Sequence, residues 1–277
     1  MVIIQGVDEG REAATAAMWD GADYERLASR FAPAGHAVAA AVEAAGAPPG
    51  TVLDLAAGTG TVAQAMARQG RRVEATDIAP GLVATGRAQT DAQALDVRWR
   101  VAAMDDLDER GAYAAVTSSF GIIFSPEPAA TLRRVHDALV PGGVVALSAW
   151  APDGYVARMS AAMGARLSEP GRTAATAWVP WGDPAVLTDR LGSAGFVDVR
   201  VVRRRLPWRF ASVDEAVDLL FEASPGHVAA ARFSGDGAGL RGVVRAHLLD
   251  FAGLSDSGSA VDTEAAYVLA SARRPVG

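Results

Sequence analysis

Val52-Leu53-Asp54-Leu55-Ala56-Ala57-Gly58-Thr59-Gly60-Thr61 decides how this chain of 277 residues is read. An apolar run ends in small residues and two glycines. A helix-like segment, Val62 to Gln69, follows at once, and Gly70 closes it. That is the pattern of a buried strand, a tight turn and a helix start. Glycine lets backbone approach a ligand closely, and a helix N-terminus offers free N–H groups and a partial positive charge. A second strand, Arg72 to Thr76, ends in Asp77. An acid roughly 20 residues after such a turn can bind the two hydroxyls of a ribose. Together these features describe a nucleoside site at the switch point of a doubly wound sheet.

The glycine spacing alone also fits the G-x-G-x-x-G/A pattern of nicotinamide and flavin enzymes, with Ala63 in the last place. Three features argue against a dinucleotide. Asp54 interrupts a strand that is otherwise apolar, some fifty residues of helical pattern precede the motif, and Leu139-Val140-Pro141-Gly142-Gly143-Val144 reads as a helix end, a turn and a strand. A nicotinamide oxidoreductase would also be expected to show a Tyr-x-x-x-Lys or a His–Asp pair. The chain has no lysine at all, its 26 basic residues being arginine.

Around this motif strand and helix patterns alternate, which implies a parallel sheet with helices on both faces. Strands are expected at Val52–Ala56, Val97–Ala102, Ala114–Ser118 and Val144–Ala149, with helices at Pro80–Gln93 and Pro128–Leu139. Before them lie three short helical candidates, Asp8–Trp19, Asp23–Phe31 and Gly35–Ala45. After Trp150 the pattern changes. Broken helical sequence covers Ala151–Gly171, and Arg172–Asp183 reads as a loop holding Trp178 and Trp181. Pro184–Gly195, Val213–Ala223 and Gly239–Leu249 read as helices, and Phe196–Phe210 and Ala265–Ala272 as strands. The organisation expected is one domain over 1–277. It comprises an N-terminal helical cap at 1–47, a cofactor-binding core at 48–150, a first insertion at 151–183, and a sheet completion at 184–277 with a second helical cap near 211–260.

Composition narrows the function. Half of the chain is hydrophobic, so a substantial core is available, and a net charge of −6 argues against a nucleic-acid backbone as ligand. Arg203-Arg204-Arg205 falls in a strand pattern and reads as a solvated edge. No cysteine is present, which removes thiolate catalysis and Cys-ligated zinc, and the four histidines show no metal-ligand spacing, so no metal site is expected. No signal peptide or membrane-length apolar run is read, so a cytoplasmic location is expected.

The segments Val52–Gly60, Glu74–Ile78, Thr117–Gly121 and Leu139–Leu147, in that order, resemble the class I S-adenosylmethionine-dependent methyltransferases. The resemblance extends through Trp181-Gly182 and Ala194-Gly195-Phe196, and is strongest to bacterial small-molecule enzymes related to the ubiquinone and menaquinone C-methyltransferases. It implies an α/β fold: a doubly wound, mostly parallel, seven-stranded Rossmann-like sheet whose last strand is antiparallel, plus helical caps. It implies S-adenosyl-L-methionine as cofactor and methyl transfer, within secondary metabolism, to an O-, C- or N-nucleophile on a small-molecule acceptor. No nucleic-acid or membrane partner is implied, and a homodimer stays open. A cofactor-binding protein without methyl transfer, such as a regulator or a repurposed cyclase, is the alternative.

The resemblance also suggests site residues. Ala56, Gly58, Thr59 and Gly60 would admit the methionine end, with Asp54 orienting its amine and Tyr24 closing over it. Asp77 and Ile78 would meet the ribose side. Relatives carry Gly-Asp-Ala after the third strand, where this chain has Ala102-Ala103-Met104, so the usual adenine-binding acid is missing. Asp105, or Asp106, would substitute for it, with Met104 packing on the base. Ser119 and Phe120 would lie beneath the sulfonium, where an aromatic face is electrostatically favourable. Trp150, Trp178 and Trp181 are expected to wall an apolar acceptor pocket, and His227 is the one histidine considered as a base. No catalytic residue is assigned.

Overall fold

The structure, a computed structural model, describes residues 2–276; Met1 and Gly277, the ends of the expected domain, lie outside the described residues. The chain begins with α1 (Val2–Asp20) and α2 (Tyr24–Ala44). The core then alternates β1 (Val52–Leu55), α3 (Thr61–Arg68), β2 (Val73–Asp77), α4 (Pro80–Ala92), β3 (Val97–Val101), β4 (Tyr113–Ser119), α5 (Pro128–Ala138) and β5 (Leu139–Trp150). An excursion of α6 (Tyr155–Gly164) and α7 (Glu169–Thr176) leads to α8 (Pro184–Ser193) and β6 (Val197–Phe210). Helices α9 (Val213–Ala223), α10 (Pro225–Ser234) and α11 (Gly237–Ala252) precede β7 (Val261–Arg273).

The seven strands form one sheet in the order β3-β2-β1-β4-β5-β7-β6. The first five are parallel to one another, and β7 runs antiparallel between β5 and β6. Strand order reverses on either side of β1, so the crevice beyond β1 and β4 is the switch point at which such sheets take ligands. Leu53, Val52, Ala115 and Ala146 are fully buried, as a sheet covered on both faces requires. The expected arginine run lies on the edge strand β6, where Arg203 pairs with Asp153 and Arg205 with Glu264. Among the described residues no helix is long and apolar enough to cross a membrane.

Four expectations about the elements need correction. Pro33 does not end a helix: the two candidates Asp23–Phe31 and Gly35–Ala45 fuse into α2, because residues on both sides of Pro33, from Leu27 and Ala28 to Val38 and Val42, are buried along one helix. Pro141-Gly142-Gly143 is not a turn between elements but part of β5, whose register against β4 shifts between Tyr113 and Ala115. The stretch expected as a loop after Gly171 carries most of α7 and a 3₁₀ turn, Val179–Gly182. Helix α10 was absent from the sequence pattern, since its only buried residues are Pro225 and His227.

Two apolar clusters result. The larger joins the sheet to α2, α3, α5 and α8; the smaller joins α6, α9 and α11 to the far half of β6 through Tyr155, Trp208 and Phe210. The N-terminal cap is thus only partly a cap: Val38, Ala39 and Val42 of α2 are fully buried in the main core.

Candidate functional site

Three strand ends build the site. Past β1 the backbone turns left-handed at Ala56 (φ 52°) and again at Gly58 (φ 59°) and Gly60 (φ 89°). Past β4 it does so at Phe120 (φ 57°). A left-handed residue with a side chain costs about 1–2 kcal/mol and persists where its surroundings over-determine it. Ala56 and Phe120 are both such residues, and both line one cavity of about 200 Å³.

Asp77, at the end of β2, holds the glycine turn in place. Its Oδ2 accepts the Gly58 N–H at 2.8 Å and its Oδ1 accepts the Ala79 N–H at 3.0 Å. Burial lifts the carboxyl above its ordinary range, the Ala79 and Gly58 amides oppose that lift, and the charge of Asp20 adds to it. Each oxygen retains acceptor capacity beyond its one amide bond. Tyr24 covers Gly58: a Cβ at that glycine would stand 3.2 Å from the tyrosine ring. Loss of hydration, with the charge of Asp77, raises the phenol pKa, so Tyr24 stays a neutral hydrogen-bonding group.

Around this centre the cavity wall is aromatic and small. Trp19 meets Tyr24 and Phe124 edge to face, at 5.4 and 5.2 Å between ring centres. Phe120 is stacked on Trp150 at 3.9 Å. Ile78, Ala102, Ala103, Met104 and Asp105 line the opposite end, with Ser119 near Phe120. Asp105 accepts a hydrogen bond from Thr131, whereas Asp106 turns back to the Ala103 amide. A second cavity of about 30 Å³ shares Tyr24, Ala56, Ala57, Ser119 and Phe120 with the first and adds Asp54, Thr59 and Phe31.

Asp54 is 1 % exposed, and its carboxylate is occupied. Oδ2 accepts from Ala63, the third residue of α3, and Oδ1 accepts from the Thr117 hydroxyl at 2.9 Å. Burial pushes this carboxyl up to about 7, against the two hydrogen bonds and with the charge of Asp77. In the unfolded chain it titrates near 3.9. The folded state therefore holds the extra proton between those values, and the stability it contributes is full below about 4 and lost as pH rises through about 7. An asparagine amide can donate to Thr117 and accept from Ala63. Asp54→Asn should gain on the wild type by on the order of 2 kcal/mol between pH 5 and pH 8, read by urea unfolding without ligand. A constant difference between the two proteins would show that Asp54 is already ionised at pH 5.

Not every expected residue reaches a cavity. Gly60 lines neither; it caps α3, and a Cβ there would lie 2.7 Å from the Trp99 ring. Thr59 and Asp54 reach only the smaller one. Trp178 and Trp181 are corrected: both are buried in the main core, and neither lines either of these two cavities. Trp150 supports Phe120 from behind instead of facing the opening. His227 is no base for this site. It sits in α10, its Nδ1 meets the Ser224 hydroxyl at 2.8 Å, and burial lowers its pKa to about 4.

Sequence reasoning missed Leu82, Phe124, Glu12 and Thr15, which also line the larger cavity. Glu12, Thr15 and Trp19 share one face of α1 by their spacing, and Phe124 is 45 % exposed in a 3₁₀ turn after Gly121. A large exposed aromatic beside a strand-end glycine was the available signal.

Residues 52–143 match the family model of a methyltransferase domain. Over 277 residues the chain is 29 % identical to an uncharacterized protein of Mycobacterium tuberculosis, covering 96 % of each. It is 38 % identical over 103 residues to a ubiquinone biosynthesis O-methyltransferase of Xanthomonas campestris pv. campestris, covering 36 % of this chain and 43 % of that one. In fold it is similar to the crystal structure of the YcgJ protein from Bacillus subtilis, with a TM-score of 0.62 and 15 % identity over 87 % of this chain and 99 % of that one.

Proposed function

From the methyltransferase-domain match over residues 52–143 we infer that the chain is a class I S-adenosylmethionine-dependent methyltransferase that methylates a small organic acceptor held over the ends of β1 and β4. The observation that carries this reading is the cavity with Asp77 and the Gly58 turn at its base and four aromatic rings, Trp19, Tyr24, Phe120 and Phe124, around it.

The residues present fit the cofactor. Asp77 offers carboxylate oxygens to a ribose diol, and Ala56 and Gly58 leave room for an amino-acid tail toward the smaller cavity. Ala102, Ala103 and Met104 offer an apolar edge to the base, and Asp105 offers an acceptor to its amino group. This chain would thus meet adenine with an acid displaced from the usual position. When bound, the cofactor supplies a methyl group on a sulfonium, and the electron pair of the broken C–S bond stays on sulfur. Phe120, stacked on Trp150, would offer an aromatic surface to that positive charge.

Alignment and exclusion of water by the aromatic wall supply much of such a transfer. Tyr24, neutral at working pH, can donate a hydrogen bond but does not serve as a base near neutrality. The reading therefore favours an acceptor that ionises easily or attacks through carbon. Its test is a labelled-methyl screen of phenols, quinol precursors and amines with S-adenosylmethionine. Turnover of at least one class is expected. No transfer to any of them by protein that binds S-adenosylhomocysteine would favour a non-transferring role.

A further inference from the structure

Trp208 carries a buried polar group that the fold leaves unused. The side chain is 2 % exposed, and among the described residues its indole Nε1–H has no hydrogen-bond partner. Buried donors are nearly always satisfied, so an orphan needs a reason. Tyr155 does not relieve it: its ring lies 6.2 Å away, and its hydroxyl donates to the Met159 sulfur.

The ring of Trp208 is separated from the methyl-transfer region by one side chain. Phe31 stacks on Trp208 at 6.0 Å with 11° between planes, and it also meets Phe120 at 5.7 Å and Trp150 at 5.3 Å. Phe31 lines the smaller cavity together with Tyr24 and Ala28, and the three share one face of α2 by their i, i+4, i+7 spacing.

Pro33 lacks an N–H, so the helix loses the bond back to Ser29 and is weakened two residues beyond Phe31. Beyond Pro33 the helix is locked: Gly35 lies so near Thr61 that a Cβ would stand 2.7 Å from its methyl group. Before Pro33 it is held by the burial of Leu27 and Ala28 and at its edges by exposed contacts, Arg26 with Glu222 and Arg30 with Glu215. Phe31 itself is only partly buried, and turning its side chain out of the stack on Trp208 would join the indole N–H to the smaller cavity.

We propose that Trp208 is a binding residue of the acceptor site, its indole N–H donating to an oxygen on a neutral aromatic acceptor that takes the place of Phe31. The ring contacts of Trp208 are Phe31, Tyr155 and Phe210, which suit a flat apolar molecule. The nearby cation does not recruit an anion: Arg30 stands over the Phe210 ring and donates to the Arg209 carbonyl. One unpartnered donor, with the neighbouring cation already engaged, selects an oxygen that can accept, as in a phenol, a quinol or an aryl ketone.

This proposal rests on the methyl-transfer reading, and its test separates the two. Wild type and Trp208→Phe are compared with S-adenosylmethionine and a panel of hydroxylated aromatics, measuring labelled-methyl transfer. S-adenosylhomocysteine affinity is followed in parallel. Loss of one neutral hydrogen bond should raise KM for the preferred phenol on the order of tenfold, with kcat and S-adenosylhomocysteine affinity nearly unchanged. Equal KM values, or turnover confined to amines, would overturn the proposal and leave methyl transfer standing. Failure of wild type to bind S-adenosylhomocysteine would instead remove the reading beneath it. Should Trp208→Phe not fold, tryptophan ¹⁵N-labelled wild type decides, with the Trp208 signal identified by substituting the other five tryptophans in turn. Its indole resonance should shift when the methylated phenol is added to protein holding S-adenosylhomocysteine, and an unmoved resonance overturns the proposal.

Discussion

Asp77→Ala should weaken S-adenosylhomocysteine binding by about a hundredfold or more. Two losses combine. Hydrogen bonds from ribose hydroxyls to a charged acceptor contribute roughly 1.5–3 kcal/mol, or a factor of about ten to a hundred. The second loss is internal: Asp77 also receives the Gly58 and Ala79 amides, so the turn that shapes the pocket loses its anchor. Two buried N–H groups are then left without partners, and folding stability should fall by about 1–3 kcal/mol, offset in part because a costly buried carboxylate is gone. Titration calorimetry and urea unfolding on the same preparation read both effects. A well-folded variant with unchanged affinity would mean that the ribose lies elsewhere.

Gly60→Ala should damage the fold more than the ligand site. Alanine at φ 89° is strained, and its methyl group would fall 2.7 Å from the Trp99 ring, which is wedged between α3 and α4 and hydrogen-bonded to Thr90. Backbone strain of about 1–3 kcal/mol and overpacking of about 1–3 kcal/mol add on the same residue. The expected result is a loss of roughly 2–6 kcal/mol in urea unfolding, sufficient to remove much of a domain's stability. If stability holds and only cofactor affinity falls, Gly60 touches the ligand and its distance from the cavity is misjudged.

These two residues show what could be read from the chain before its fold was seen. The first strand, the glycine turn and the acid ending the second strand were legible because each depends on local chemistry. An apolar run must be buried, a left-handed turn needs small residues, and a strand-end acid beside it has few other uses. The packing role of Gly60 could not be read, because the residue it accommodates, Trp99, is distant in sequence and makes its contact only after the sheet forms. Trp178 and Trp181 failed for a related reason. An aromatic residue in an irregular segment has the same composition whether it faces a pocket or fills the space beside β5. Pro33 misled in the opposite direction, since its missing hydrogen bond was outweighed by the burial of Leu27, Ala28, Val38 and Val42 along one helix. The orphaned Trp208 indole could not be read at all, because a strand pattern carries no record of which polar groups will find partners.

We infer that the cavity between the Gly58 turn, Asp77 and Phe120 is built for a nucleoside carrying an amino-acid tail. Calorimetric titration of the wild-type protein with S-adenosylhomocysteine and, separately, with NADH tests it most directly. Saturable one-to-one binding of S-adenosylhomocysteine with no heat from NADH is the expected result. Binding of NADH without binding of S-adenosylhomocysteine would contradict it.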